Sequence, residues 1–375
     1  MSDAPWRITL ADVSIGQEER AAVDDVLRSG WLSMGPETER FEQAFAAYVG
    51  AEQAVAVTNG TAALHLAAAA LGLGPGDEVI CPALTFVASA AAMRQAGADV
   101  RLADSTSLDD FAIDPDELER LASPRTRAVV VLHYGGYPAD VESVLAVARE
   151  RGWYVIEDAA HAPGARLGGA ACGTIGDAGC FSFFPNKNMT TGEGGMVVAR
   201  DSDVAARARS LRSHAMTATT WDRHRGHAAN YDVVGVGFNY RIDEMRAALG
   251  RVQLSRLDEL NAAREQVTGW YRGLLADADT LSVPGLGDRG TPSYHLAPVV
   301  ASSLEARDRL REQLRVRRIQ TSVHYPAIHR FSHYASERSL PTAEAIADRT
   351  LTLPLHPGLS REDVETVCAA LLEPS

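Results

Sequence analysis

The chain has 375 residues, too many for one small core and enough for a large α/β domain with a smaller companion. Apolar residues make up 46% of it and aromatic residues 6%, which excludes a disordered or collagen-like chain. Lys and Arg total 36 against 49 Asp and Glu, a formal net charge of −13. So acidic a chain is not built for nonspecific nucleic-acid binding, and an anionic substrate would need a local cluster of Arg, Lys or backbone N–H groups to hold it.

The N-terminus, Met1-Ser2-Asp3-Ala4-Pro5-Trp6, has no basic region followed by an apolar stretch, so no signal peptide is expected. Residues 17–28 read as an amphipathic helix stopped near Gly30, and 37–48 as a second with Phe41, Phe45 and Tyr48 on one face. Short apolar runs then recur at Ala54–Val57, Glu78–Cys81, Asp99–Leu102, Ala128–Leu132, Trp153–Ile156, Gly179–Phe184 and Met196–Ala199. Helix-like runs at 61–72, 86–96, 115–122 and 140–151 separate most of them. This alternation predicts an α/β fold: a mostly parallel seven-stranded sheet with helices on both faces. The last two strands are separated by a Gly-rich turn and no long helix. The longest apolar run, near Ala62–Leu73, carries His65 and is too short to cross a bilayer. No membrane partner is expected, and the cytoplasm is the expected location.

Beyond about residue 240 the pattern changes. Residues 243–275 read as one long helix or two in line, Tyr294–Val300 as a strand, 304–316 as a helix, Thr321–Tyr325 as a strand, and 360–372 as a terminal helix. This predicts a smaller C-terminal α+β domain over 251–375 beside a large domain over 1–250, onto which the N-terminal segment need not pack exclusively. Cys81, Cys172, Cys180 and Cys368 form no CxxC pair and read as buried free thiols in a reducing compartment.

Open parallel sheets place ligands at the carboxyl ends of their strands. The residues just past the strand ends here are polar or aromatic. Asn59-Gly60-Thr61 opens a helix, where free N–H groups and a hydroxyl suit a phosphate; the same residues also suit a plain N-cap. Phe86 could stack on a flat heteroaromatic ring or simply fill the core. Asp158 closes an apolar strand and could pair with a pyridinium N–H, or serve as a helix cap. Ser182 and Lys187 close the next strand. A lysine in apolar surroundings loses its charge readily and attacks carbonyls. Thr190-Thr191-Gly192-Glu193-Gly194-Gly195 is a tight turn without P-loop form.

These segments carry a resemblance. Asn59-Gly60-Thr61-Ala62-Ala63-Leu64, Glu157-Asp158-Ala159-Ala160-His161 and Ser182-Phe183-Phe184-Pro185-Asn186-Lys187-Asn188 through Gly195 resemble the DegT/DnrJ/EryC1/StrS family of sugar aminotransferases. Gly237-Phe238-Asn239-Tyr240-Arg241, Ser322-Val323-His324-Tyr325-Pro326 and Leu353–Gly358 match later motifs, and Ser29-Gly30-Trp31 an early one.

The resemblance implies a fold-type I enzyme dependent on pyridoxal 5′-phosphate (PLP), cycling through pyridoxamine phosphate. It gives Lys187 the covalent hold on the cofactor and the proton shuttle. Asp158 takes the pyridinium nitrogen, Phe86 the ring face, His161 the neighbourhood of the ring's phenolic oxygen, and Gly60, Thr61 and Ser182 the phosphate. Asn239 would reach the phosphate of a neighbouring subunit, so the active site would need a homodimer. His324 and Tyr325 would lie on the substrate side. The substrates implied are an amino donor, L-glutamate, and a keto group on a nucleotide-linked sugar. A keto-cyclitol acceptor would use nearly the same site. A dehydratase of this fold typically has histidine at the lysine position, and a noncatalytic scaffold need not keep Lys187, Asp158, Ser182 and Asn239 together.

Two departures stand out. Many relatives have Gln where this chain has His161, and Gln near Gly136. The stretch Trp221-Asp222-Arg223-His224-Arg225-Gly226-His227 is basic in an acidic chain. Arg223 and Arg225 read as a grip on a nucleotide diphosphate. The alternatives are a solvated loop or a zinc-like His pair, and no further metal ligands are placed.

Overall fold

The computed structural model describes residues 6–373 apart from 219, 220, 222, 223, 225, 227–229 and 337. Two helices come first, α1 (Gln17–Ser29) and α2 (Pro36–Val49). α1 ends on Gly30 at φ 74°, a left-handed conformation that costs glycine nothing. α2 starts on Pro36, and its first N–H groups are capped from far away. The carboxylate of Glu244 accepts from the N–H of Gly35 (2.7 Å), Glu37 (2.7 Å) and Thr38 (2.9 Å). A buried negative charge at a helix N-terminus meets the positive end of the helix dipole, which fastens the helix carrying Glu244 onto α2.

The strands β1 (Ala54–Val57), β2 (Glu78–Pro82), β3 (Asp99–Ala103), β4 (Thr126–Leu132) and β5 (Tyr154–Asp158) come next. A small hairpin, β6 (Arg166–Leu167) and β7 (Ala170–Ala171), precedes β8 (Ala178–Ser182) and β9 (Gly195–Ala199). Seven of these form one sheet in the order β1-β9-β8-β5-β4-β2-β3. β9 runs antiparallel to both β1 and β8, and the other neighbours are parallel. The reversal stems from the connection: a parallel return usually uses a crossover helix, and residues 183–194 contain none.

Helices cover both faces, as the alternation predicts. On one face Ala128 and Val130 of β4 pack toward α3 (Gly60–Ala70), α4 (Ala88–Gln95) and α7 (Ser202–Leu211). On the other, Val129 and Val131 pack toward α5 (Pro115–Leu121) and α6 (Val141–Arg151). Phe41 and Phe45 of α2 meet Phe181 and Phe183 on that same side, with Phe45 and Phe181 edge-to-face at 4.9 Å.

The span 243–275 is two helices, α8 (Glu244–Ser255) and α9 (Leu257–Leu274), joined at Arg256. Beyond them β10 (Leu281–Ser282), β11 (Ala297–Ala301) and β12 (Thr350–Leu353) form a three-stranded antiparallel sheet. It packs with α10 (Leu304–Val316), α11 (Pro341–Arg349) and α12 (Arg361–Leu372). The N-terminal segment lies against this part of the chain, with Ile8 bridging Ile319 and Leu355 N–H donating to the Leu10 carbonyl at 3.0 Å.

Two expected strands change. Thr321–Tyr325 is not a strand: Ser322 makes one bridge to Thr352, and the segment turns into the large-sheet rim. The strand expected from Tyr294 begins at Ala297, because Tyr294 sits at φ 53°, outside β geometry. α7, α11 and β12 had no reading from sequence. Among the described residues no helix is long and apolar enough to cross a membrane. All four cysteines are buried and free.

Glu157, fully buried in β5, organises the approach to β8. It accepts from the N–H groups of Gly173 (2.7 Å), Ile175 (2.7 Å) and Gly176 (2.5 Å). His133 Nδ1 accepts from Ala139 N–H at 3.1 Å, so its Nε2–H donates to Glu157 at 2.9 Å. Glu157→Gln places an amide NH₂ against these donors. It should destabilise the protein by roughly 3 kcal/mol, read as a lower thermal unfolding midpoint with secondary structure retained.

Candidate active site

The carboxyl ends of β1, β4, β5 and β8 share one rim, and Gly195, the first residue of the reversed β9, joins them there. A cavity of about 660 Å³ opens at this rim. Gly60, Thr61, Phe86, Asp158, His161, Ser182, Lys187, His324 and Tyr325 all line it, residues drawn from both ends of the chain.

One end is the open N-terminus of α3, a setting that suits a phosphate. Asn59 caps α3 through its side chain, which accepts from Ala62 N–H at 2.8 Å, leaving Gly60 and Thr61 at the open end of the helix. A Cβ on Gly60 would come within 2.8 Å of Ser182 Cβ, so only glycine lets the serine hydroxyl stand at the helix mouth. Asn59 is therefore the cap, and Thr61 is not.

Asp158 and Lys187 define the other axis. Asp158 is 4% exposed, and burial pushes its carboxyl above the usual range. Ser89 Oγ donates to Oδ2 at 2.6 Å and Ala160 N–H to Oδ1 at 3.2 Å, and these bonds, with the charge of Lys187, oppose the rise. Lys187 lies in a turn closed by its own N–H to the Phe184 carbonyl at 2.9 Å. Desolvation pushes its ammonium down to about 8, against the pull of Asp158. The loop after it is pinned by Asn188, whose Nδ2 donates to Asn261 Oδ1 (2.7 Å) and the Ser293 carbonyl (2.6 Å) while His295 Nδ1–H donates to its Oδ1 at 3.0 Å.

His161 is reached through Tyr325. Gly135 N–H donates to its Nδ1 at 3.2 Å, so Nε2 carries the proton and donates to Tyr325 Oη at 2.9 Å. Burial, then Lys187 and His324, hold His161 well below the usual histidine range, so the ring is neutral. His324 Nδ1 pairs with Thr352 Oγ1 at 2.9 Å, and burial with the nearby Lys187 lowers it to about 4. The Tyr134 hydroxyl donates to the His324 carbonyl. Phe86 is 54% exposed, at 5.8 Å between ring centroids from Tyr325, and so is a wall of the cavity, not core.

At Gly136, in the segment where a Gln is expected nearby, the structure has no room for a side chain. A Cβ there would lie 2.5 Å from Ser293 Oγ and 2.7 Å from the His161 carbonyl. Asn239 is exposed and bridges Ser213, outside the cavity lining, whereas its neighbour Tyr240 lines the cavity. Arg223 and Arg225 lie outside the described residues. Trp221 and His224 of that stretch pack on Trp31 at 4.8 and 4.5 Å. Among the described residues no group of three or more His, Cys, Asp or Glu could hold a metal. Sequence reasoning missed Ser89, Asn188, His295 and Tyr240. Ser89 and Asp158 are 69 residues apart, and nothing local to either reveals the pair.

A family model, the DegT/DnrJ/EryC1/StrS aminotransferase family, matches residues 13–372. The chain belongs to this family. It is 40% identical over 378 residues to GDP-perosamine synthase of Caulobacter vibrioides, covering 99% of each chain. It is 38% identical to dTDP-4-dehydro-2,3,6-trideoxy-D-glucose 4-aminotransferase of Saccharopolyspora spinosa, covering 96% of this chain and 94% of that one. The putative sugar aminotransferase Spr1654 from Streptococcus pneumoniae, in its PLP form, superimposes with a TM-score of 0.90 at 28% identity, covering 99% of this chain and 98% of that one. The protein is a PLP-dependent sugar aminotransferase, and its cavity fits that cofactor: a cradle emptied by Gly60, a buried carboxylate, a lysine whose ammonium form burial disfavours and an exposed aromatic face.

Covalent capture of PLP needs the uncharged amine. With Lys187 near 8, the neutral fraction rises as pH rises through that value. The rate at which cofactor-free protein captures PLP, followed by its visible absorption, should therefore climb with a midpoint near pH 8 and level off above it.

Proposed function

We propose that this aminotransferase moves an amino group from L-glutamate to the keto group of a nucleotide-linked deoxysugar. It does so as a cytoplasmic homodimer whose large domain spans 1–250 and small domain 251–375. The observation that carries the reading is Lys187 facing Asp158 across the cavity beside the Gly60–Thr61–Ser182 cradle. The nucleotide-linked acceptor is supported by the names of both relatives, each of which makes or converts a nucleotide sugar.

PLP, when bound, supplies an electron-poor ring that draws electrons from the substrate's C–N carbon. The residues of this chain do the rest. Thr61, Ser182 and the N–H groups of α3 would hold its phosphate, and Phe86 would cover its ring face. Asp158 would keep its ring nitrogen protonated. Lys187 Nζ would serve as the tethered base that takes and returns the proton at the substrate carbon; a base of this kind contributes about 10²–10⁴-fold. Neutral His161, held by Gly135, fixes the Tyr325 hydroxyl toward the cavity. His324 and Tyr325 face the substrate. A keto-cyclitol acceptor is the second reading; no observation favours it over the nucleotide sugar.

The dimer is supported by the segment before Asn239. Val233, Val234 and Val236 are 52%, 67% and 91% exposed, an apolar run that a second copy would cover. Asn239, three residues after Val236, is exposed and is not part of its own cavity's lining.

Lys187→Ala should abolish multiple turnover with L-glutamate and a panel of nucleotide keto sugars; continued turnover would overturn the assignment. Asn239→Ala should weaken PLP binding. Mixing Lys187→Ala with Asn239→Ala subunits should then restore activity, because one cavity of each mixed dimer regains both groups. No recovery, with mixed dimers verified by mass, would sink the shared site. Replacing Arg223 and Arg225 together by Ala should raise KM for the nucleotide sugar several-fold and leave the glutamate half-reaction unchanged.

A further inference from the structure

We propose that Ser89, backed by Thr85, is the positioning residue that holds Asp158 as the charged partner of the cofactor's ring nitrogen. The inference rests on the reading of Asp158 as that partner and adds to it the groups that make the role tenable.

Ser89 Oγ lies 2.6 Å from Asp158 Oδ2, and Thr85 Oγ1 lies 2.9 Å from Ser89 Oγ. Thr85 and Ser89 are 1% and 0% exposed, so bulk water does not compete for these bonds. The two hydroxyls stand four residues apart on the chain that enters α4, on either side of Phe86, whose ring forms the cavity wall. One turn thus carries both the ring-face contact and the support for the ring-nitrogen contact.

Proton counting sets the direction of the chain of bonds. An ionised carboxylate only accepts, so the single Ser89 proton goes to Asp158. The bond between the hydroxyls must then carry the Thr85 proton to Ser89. The Thr85 O–H points at Ser89 and the Ser89 O–H at Asp158, so the relay stabilises negative charge on the carboxylate. Burial opposes that charge, and the Ala160 N–H and the charge of Lys187 join the hydroxyls in favouring it. Among the described residues no Arg or Lys lies within salt-bridge distance of Asp158, and its neighbours include the buried thiols of Cys81 and Cys180. Besides Ser89, only Ala160 N–H bonds the carboxylate among the described residues. An Asp158 that kept a proton would set a donor against the N–H of a protonated ring.

The test is equilibrium binding to cofactor-free protein, read by quenching of intrinsic fluorescence. Two probes are used: PLP, and its deaza analogue in which C–H replaces the ring nitrogen. The wild-type protein should prefer PLP. Ser89→Ala should weaken PLP about 10- to 100-fold, as expected for a lost hydrogen bond to a buried charge, and the deaza analogue by less than about 3-fold. Ser89→Thr, which keeps the hydroxyl, should restore most of the preference, and Thr85→Val should show a smaller loss in the same direction. Near-normal binding of the deaza analogue also shows that the variant is folded. Equal losses for both probes would mean that Ser89 only packs, and would overturn the proposal alone. A wild-type protein that binds both probes alike would instead remove the Asp158 reading beneath it.

Discussion

Asp158 is a carboxylate that the fold buries with no ion-paired arginine among the described residues. Burying it costs free energy unless something compensates. The compensation is distributed over three elements: Ser89 at the start of α4, the Ala160 N–H just past β5, and the charge of Lys187 beyond β8. Holding that arrangement requires β5, β8 and α4 to keep their relative positions, which the parallel pairing of β2, β4, β5 and β8 provides. The same burial that raises Asp158 depresses Lys187, so one low-dielectric rim makes the lysine nucleophilic and leaves the aspartate's charge dependent on its hydrogen bonds.

The reversed strand β9 is the second constraint. Because it returns without a helix, the chain between Ser182 and Gly195 stays at the rim, with Phe184, Asn186, Lys187 and Glu193 all on the cavity wall. Asn188 then ties this loop to Ser293, Asn261 and His295, so the part of the chain beyond the large sheet supports the lysine from behind. Glu157 does comparable work on the preceding connection by collecting three backbone N–H groups ahead of β8.

The wall around Tyr325 is built differently. His161 and His324 on it, and His295 packed on His161, are held below the usual histidine range by burial, so these rings are polar without carrying fixed positive charge. His161 presents no free nitrogen to the cavity: one ring nitrogen is taken by Gly135 and the other by Tyr325. The group that faces the open space is the tyrosine, which arrives from 164 residues downstream.

The strand-and-helix alternation was legible in the sequence, because apolar runs of strand length separated by helical periods leave few other folds. So were the cavity-lining residues that sit where strands end: Gly60, Thr61, Asp158, Ser182 and Lys187 each close or succeed an apolar run, and in a parallel sheet those ends must converge. Tertiary structure alone decided the rest. The reversal of β9, the break at Arg256 and the irregular backbone at Thr321–Tyr325 depend on packing partners remote in sequence. So do the pairing of Ser89 with Asp158, the enclosure of His161 behind Tyr325, and the filling of the space beside Gly136 by Ser293. A hydrogen bond between groups 69 or 164 residues apart leaves no periodicity in the chain, and only the folded backbone brings its two ends together.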